Sequence, residues 1–157
     1  MSDGDSCRLK YFEGEPEVLA EVRQMWDEIF DDPEEFADYY FTEICKQNKI
    51  LLAYKGDVLA GMIHLNPYEM QVEGKKELCY YIVGVAVKPE YREQGIMHKM
   101  MQRVLADMKK DGRAFAFLMP EREEYYESLG FEKVFHTLEL DLSLIHISEP
   151  TRLALIS

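Results

Sequence analysis

Residues 80–112 constrain the fold of this 157-residue chain more than any other part. Residues 80–87 are nearly all apolar, the pattern of a central strand covered on both faces. A short loop follows. Then Ile96, Met100, Met101, Val104, Leu105 and Met108 recur at the spacing of one buried helical stripe. Lys109 and Lys110 fall in the last turn, where positive charge suits the helix dipole, and Gly112 suits the stop. A buried strand that runs through a short loop into an amphipathic helix belongs to a layered α/β fold.

The flanking sequence supplies the other elements. Residues 9–12 predict a first strand. Pro16 opens a helix whose stripe is Val18, Leu19, Val22, Trp26, Ile29 and Phe30. Asp32, Pro33 and Glu35 predict an N-cap, a first helical position and a capping-box partner for a second helix. That helix carries Phe36, Tyr39, Tyr40 and Ile44 on one side and ends near Gln47. Residues 50–54 and 58–65 predict a hairpin about Lys55, Gly56 and Asp57, with Asn66 and Pro67 ending it. Residues 73–75 form a second turn before a long strand over 77–87. Strands over 114–119 and 131–140 flank a short helix over 121–128, giving the order βααβββαβαβ and one domain over residues 1–141.

Composition narrows the class of partner. Thirty acidic residues against 18 basic ones give a net charge of -12, so the clustered cations that a nucleic-acid binder needs are missing. The excess is compatible with a cationic small molecule or a basic peptide, and equally with solubility alone. No apolar run reaches the length of about 18 residues that a membrane span needs. The polar, acidic first ten residues have no signal-peptide core. Cys7, Cys45 and Cys79 lack metal-ligand or redox-pair spacing and read as free thiols of a reducing cytoplasm. No metal site is expected. His64 and Cys79, each alone in a strand, read first as packing residues.

The stretch over residues 142–152 resembles the in-frame translation of a transposase-type sequencing adapter. On that reading the natural sequence ends near Asp141, and residues 142–157 are a tail outside the fold. Removing the tail takes away one Glu and one Arg, so the charge argument stands. The alternative is a genuine last strand over residues 142–147.

The chemistry concentrates after the central strand. A helix N-terminus presents N–H groups without intrahelical partners, and the dipole there favours an anion. Gly95 lets a phosphate approach the backbone, and Arg92 adds a positive charge. A diphosphate fits this arrangement. Neither a Walker motif nor a dinucleotide-binding Gly-x-Gly-x-x-Gly is present.

These residues carry a resemblance. Val87-x-Pro89-x-x-Arg92-x-x-Gly95-Ile96 resembles the acetyl-CoA loop of the GNAT acetyltransferases, usually written Arg/Gln-x-x-Gly-x-Gly/Ala. Met97 stands where the last small residue is usual, a departure that the Eis-like branch of the family tolerates. Tyr126-Glu-Ser-Leu-Gly130-Phe131 resembles the Tyr-x-x-x-Gly-Phe that follows the fifth strand in many GNAT proteins. The resemblance covers roughly residues 9–140. It implies a mixed central sheet with splayed fourth and fifth strands and helices on both faces.

It also implies the roles of single residues. The backbone of Val85, Ala86 and Val87 would pair with the pantetheine arm of acetyl-CoA like an added strand. The N–H groups of Arg92, Glu93, Gln94, Gly95, Ile96 and Met97 would hold its pyrophosphate. A strand N–H, that of Val85, would face the developing oxyanion, and Tyr126 matches the general acid for the departing thiolate. Glu77 is the candidate base, directly or through water, against the plainer reading of a solvated charge beside Lys75 and Lys76. In Eis-like enzymes a C-terminal carboxylate of a further domain resembles the base, and this chain stops before such a domain. The expected activity is acetyl transfer from acetyl-CoA to a small-molecule or peptide amine by direct attack. The alternative is a catalytically silent GNAT-like module that binds acyl-CoA or regulates a partner.

Overall fold

The computed structural model describes residues 7–113, 115–118, 124–135 and 153–155. The chain divides into two compact units, and the described part of the first holds residues 7–66 and 83–104. The second takes residues 67–82 and the chain from 105 onward.

The first unit begins with strand β1 (Cys7–Tyr11) and helix α1 (Pro16–Ile29), which starts with Pro16 in its first turn as expected. Helix α2 (Glu34–Tyr39) passes into a π-helical turn (Tyr40–Ile44) and a 3-10 turn (Cys45–Gln47). The expected capping box does not form: Pro33 occupies the N-cap position, and no side chain caps the helix. The Asp32 carboxylate instead accepts a bond from Trp26 Nε1 at 3.0 Å, so it is engaged elsewhere.

The inward face of this segment also differs from expectation. Ala37, Tyr40 and Cys45 are buried, whereas Phe36 and Tyr39 are 48% and 57% exposed. The wide turn brings Cys45 inward. The Cys45 N–H reaches the Tyr40 carbonyl, five residues back, so the inward residues no longer follow the α period.

Strand β2 (Lys49–Lys55) pairs antiparallel with β1 and with the first part of β3 (Val58–Val72). The turn between β2 and β3 places Gly56 at φ 63°, where glycine carries no Cβ penalty. Strand β3 does not end at Asn66 and Pro67. Proline's fixed φ lies in the extended range, so its ring removes a donor without stopping the strand. The passage from the first unit to the second falls at that dipeptide.

The core of the first unit gathers Val22, Met25, Trp26, Tyr40, Ile50, Leu52, Leu59, Met62 and Ala86. Burying each of the larger side chains contributes roughly 1.5–3 kcal/mol. Trp26 is its centre, stacked on Tyr40 at 4.6 Å and met edge-on by Phe41 and His64.

In the second unit, Glu73 and Gly74 turn β3 into β4 (Lys75–Val87) with φ of 51° and 81°. Strand β4 runs parallel to β5 (Phe115–Leu118) through Cys79↔Phe115, Tyr80↔Ala116 and Tyr81↔Phe117. That ladder ends at Tyr81↔Phe117, although β4 itself continues to Val87. Helix α3 (Ile96–Lys110) crosses from the first unit into the second and buries Ile96, Met100, Met101, Val104 and Met108. It stops before Gly112, at φ 74°.

Helix α4 is described over Glu124–Glu127, residues 121–123 of the expected helix lying outside the described residues, and Gly130 at φ 93° turns the chain into β6 (Glu132–Phe135). The remainder of the strand expected to reach residue 140 lies outside the described residues, as does the alternative strand over 142–147. Strand β7 (Leu153–Leu155) falls within the tail over residues 142–157 and pairs antiparallel with both β5 and β6. The neighbouring pairs are β1 with β2, β2 with β3, β3 with β4, β4 with β5, β5 with β7 and β7 with β6, with parallel and antiparallel pairs mixed.

Candidate active site

The end of β4 is built around two glycines. Gly84 has φ 59°, a left-handed residue inside a strand, and so bends the strand just before Val85. A Cβ there would lie 2.7 Å from both His64 Cδ2 and Trp26 Cζ3. On β3, a Cβ at Gly61 would meet the Ala86 carbonyl oxygen and Met100 Cε at 3.0 Å. A side chain at Gly84 would therefore collide with two rings, and one at Gly61 would press on the Ala86 backbone. The Lys88 N–H closes this part of the hairpin on the Ala60 carbonyl at 2.8 Å.

The loop then folds back on the strand. Pro89–Tyr91 form a 3-10 turn, closed by Tyr91 N–H to the Lys88 carbonyl at 2.9 Å. Arg92 Nε donates to the carbonyl of Val87 at 2.9 Å. The guanidinium thus holds the loop as well as placing positive charge there. Glu93 and Gly95 adopt φ of 63° and 79°, so two left-handed residues bracket Gln94. Left-handed residues alternating with ordinary ones turn successive N–H groups toward one side, the geometry of an anion nest.

The first helical bond of α3 runs from the Lys99 N–H to the Gly95 carbonyl at 3.0 Å. The N–H groups of Ile96, Met97 and His98 precede it and face the helix start. No acidic residue occupies the first turn of α3. Residues 92–95 are exposed, Ile96 is buried and Met97 half-buried. Nothing lies within 4 Å of a Cβ built on Gly95, so its glycine is required by backbone conformation and leaves open space above the loop. All nine residues expected to hold the cofactor, Val85 to Val87 and Arg92 to Met97, fall in the first unit.

The two expected catalytic side chains fall in the second unit. Tyr126 stands in α4, half-buried, with its ring edge-on to Phe131 at 5.8 Å. Its carbonyl accepts the N–H groups of Leu129 and Phe131 at 3.0 and 3.2 Å, so the Tyr-x-x-x-Gly-Phe motif closes its own turn. Glu77 is half-buried near the start of β4, two positions before Cys79.

Two further aromatic groups were not apparent from spacing. In the second unit Tyr81 stacks on Phe117 at 4.9 Å and 7°, with Tyr68 against both at 6.0 Å. Burial pushes the Tyr81 phenol up to about 12, and the nearby Tyr68 adds to the shift. Cys79 is buried, its thiol raised to about 11 by burial and directed at the Tyr68 carbonyl at 3.6 Å, which suits packing and not nucleophilic attack.

In the first unit His64 is fully buried, with Nδ1 2.7 Å from the Tyr40 hydroxyl and Nε2 3.3 Å from Met62 Sδ. Burial lowers its pKa to about 3, so it stays neutral through the physiological range. It packs within the core, as its isolation in a strand suggested.

The Acetyltransferase (GNAT) domain model matches residues 13–134. The chain belongs to the GNAT acetyltransferase family. Its fold is that of other GNAT proteins. A probable N-acyltransferase from Enterococcus faecalis superposes with a TM-score of 0.76 at 23% identity, over 83% of this chain and 33% of that one. A GNAT family acetyltransferase from Brucella melitensis, in complex with acetyl-CoA, superposes with a TM-score of 0.63 at 20% identity, over 80% of this chain and 83% of that one. Eis1 from Mycobacterium abscessus gives a TM-score of 0.67 at 17% identity, over 80% of this chain and 31% of that one. The chain thus spans about a third of the length of the Enterococcus protein. No curated protein sequence matches it. Among the described residues of this GNAT domain, no helix is long and apolar enough to cross a membrane. Among the same residues, no group of His, Cys, Asp and Glu is placed to hold a metal ion.

Proposed function

We propose that this GNAT domain transfers an acetyl group from acetyl-CoA to the amine of a small molecule or peptide. The observation that carries the reading is the continuous unit formed by the bent end of β4, the loop tied to it by Arg92, and the open N-terminus of α3. Backbone N–H groups from Glu93 to Met97 bind the pyrophosphate, and the Arg92 side chain adds charge to it, the Arg92 N–H itself being given to the Pro89 carbonyl at 3.3 Å. The backbone of Val85 to Val87 takes the pantetheine arm as an added strand.

Acetyl-CoA supplies an activated thioester carbonyl. The Val85 N–H stabilises the negative charge that develops on the carbonyl oxygen as the amine attacks. Tyr126 gives its phenolic proton to the departing sulfur, and Glu77, through water, takes the proton that the attacking ammonium must lose. Met97, where most family members carry a small residue, supports placing the domain in the Eis-like branch. The acid-rich chain favours a cationic amine as acceptor.

Thiol release from acetyl-CoA in the presence of a panel of primary amines tests this reading. Turnover is expected with at least one amine and is expected to be lost in Tyr126→Phe with acetyl-CoA affinity retained. Binding of acetyl-CoA without turnover on any amine would favour the silent module.

A further inference from the structure

His64 has no part in the chemistry above, yet its ring lies against the residue that bends the candidate acyl-binding strand. A Cβ on Gly84 would meet His64 Cδ2 and Trp26 Cζ3 at 2.7 Å, so the Gly84 backbone rests directly on these two rings. The imidazole is itself held in one orientation. Asn48 Nδ2 donates to the Tyr40 hydroxyl oxygen at 2.8 Å. The same hydroxyl lies 2.7 Å from His64 Nδ1. On the other side of the ring Nε2 lies 3.3 Å from Met62 Sδ, so both ring nitrogens are held. Trp26 stacks on Tyr40 at 4.6 Å and stands edge-on to His64 at 5.2 Å, closing the remaining side. Both rings beneath Gly84 are therefore fixed by partners.

We infer that His64, oriented by Tyr40 and Asn48, is a positioning residue: its ring sets the bend at Gly84 and through it the line of the Val85 to Val87 backbone. The inference rests on the reading of that backbone as the pantetheine-binding strand. A positioning role differs from a structural one in what it discriminates. It affects ligands that touch the strand and spares ligands that touch only the loop.

The test compares Tyr40→Phe with the natural chain by calorimetric titration of two ligands. Acetyl-CoA engages strand and loop, whereas 3′-phospho-ADP carries the pyrophosphate and no pantetheine arm. Tyr40→Phe keeps the stacked ring and removes the hydroxyl that holds His64. Acetyl-CoA affinity is expected to fall about tenfold while 3′-phospho-ADP affinity stays within about twofold. An equal change in both affinities, or no change in either, would overturn the inference. If the unsubstituted chain binds neither ligand, the acetyl-CoA reading itself fails and takes this inference with it. Should Tyr40→Phe not fold, His64→Asn gives the same comparison. It keeps an acceptor for the Tyr40 hydroxyl and withdraws the ring edge from Gly84.

Discussion

Arg92 reaches back across its own loop, its Nε donating to the Val87 carbonyl at 2.9 Å. The bond joins the last residue of β4 to the turn before α3, so strand end and helix start are held as one piece. Arg92→Ala removes both this tie and the positive charge. Acetyl-CoA affinity is expected to fall by about tenfold or more, with little change in the melting temperature because the side chain is exposed. Titration calorimetry and a melting curve on the same sample check both halves.

Glu93 and Gly95 make opposite predictions about the loop's stability. Glu93 is held at φ 63°, a conformation that disfavours any residue with a Cβ. Glu93→Gly is expected to stabilise the fold by about 0.5–1 kcal/mol, while Gly95→Ala, at φ 79°, is expected to cost about 1 kcal/mol. Open space surrounds a Cβ on Gly95, so that cost would come from conformation without a clash. Urea unfolding midpoints of the two variants check the sign of each.

Gly84→Ala combines strain with a collision. The φ of 59° and the two approaches of 2.7 Å leave no cheap relaxation, because Trp26 and His64 are buried rings. A loss of about 3 kcal/mol or more is expected, and an Ala at that position that unfolds no more easily than glycine would contradict the packing described.

Much of this could be read from the sequence, and what escaped it has physical causes. The strand, loop and helix over residues 80–112 were legible because the period changes from a continuous apolar run to an i, i+3, i+4 stripe. The burial of Cys45 after α2 was not, because a π turn adds a residue that no hydrophobic period records. Asn66 and Pro67 resemble a stop, yet proline removes one donor without leaving the extended range. The nine loop and strand residues form one local unit, which a motif can show. The contact of Tyr40 with His64, 24 residues apart, depends on how α2 packs on β3, and spacing alone carries no sign of it. The positions of Tyr126 and Glu77 in the second unit likewise depend on tertiary structure.

His64 predicts an acid-labile fold. Its folded pKa of about 3 lies below the ordinary value of 6.5, so between these values the unfolded chain binds more protons than the folded one. Stability from this residue is therefore full above about pH 6.5 and declines as the pH falls toward 3, losing roughly 2 kcal/mol by pH 5. Chemical unfolding at a series of pH values should show this slope, and His64→Asn should flatten it relative to its own value at pH 7.

The most direct test of the acetyl-CoA reading is a calorimetric titration of acetyl-CoA into the full chain, beside a variant carrying Arg92→Glu and Gly95→Trp. Micromolar binding by the natural chain, lost in a variant that remains folded, is the expected result. A folded natural chain that gives no binding heat at any temperature tried and no thermal shift with acetyl-CoA would contradict it.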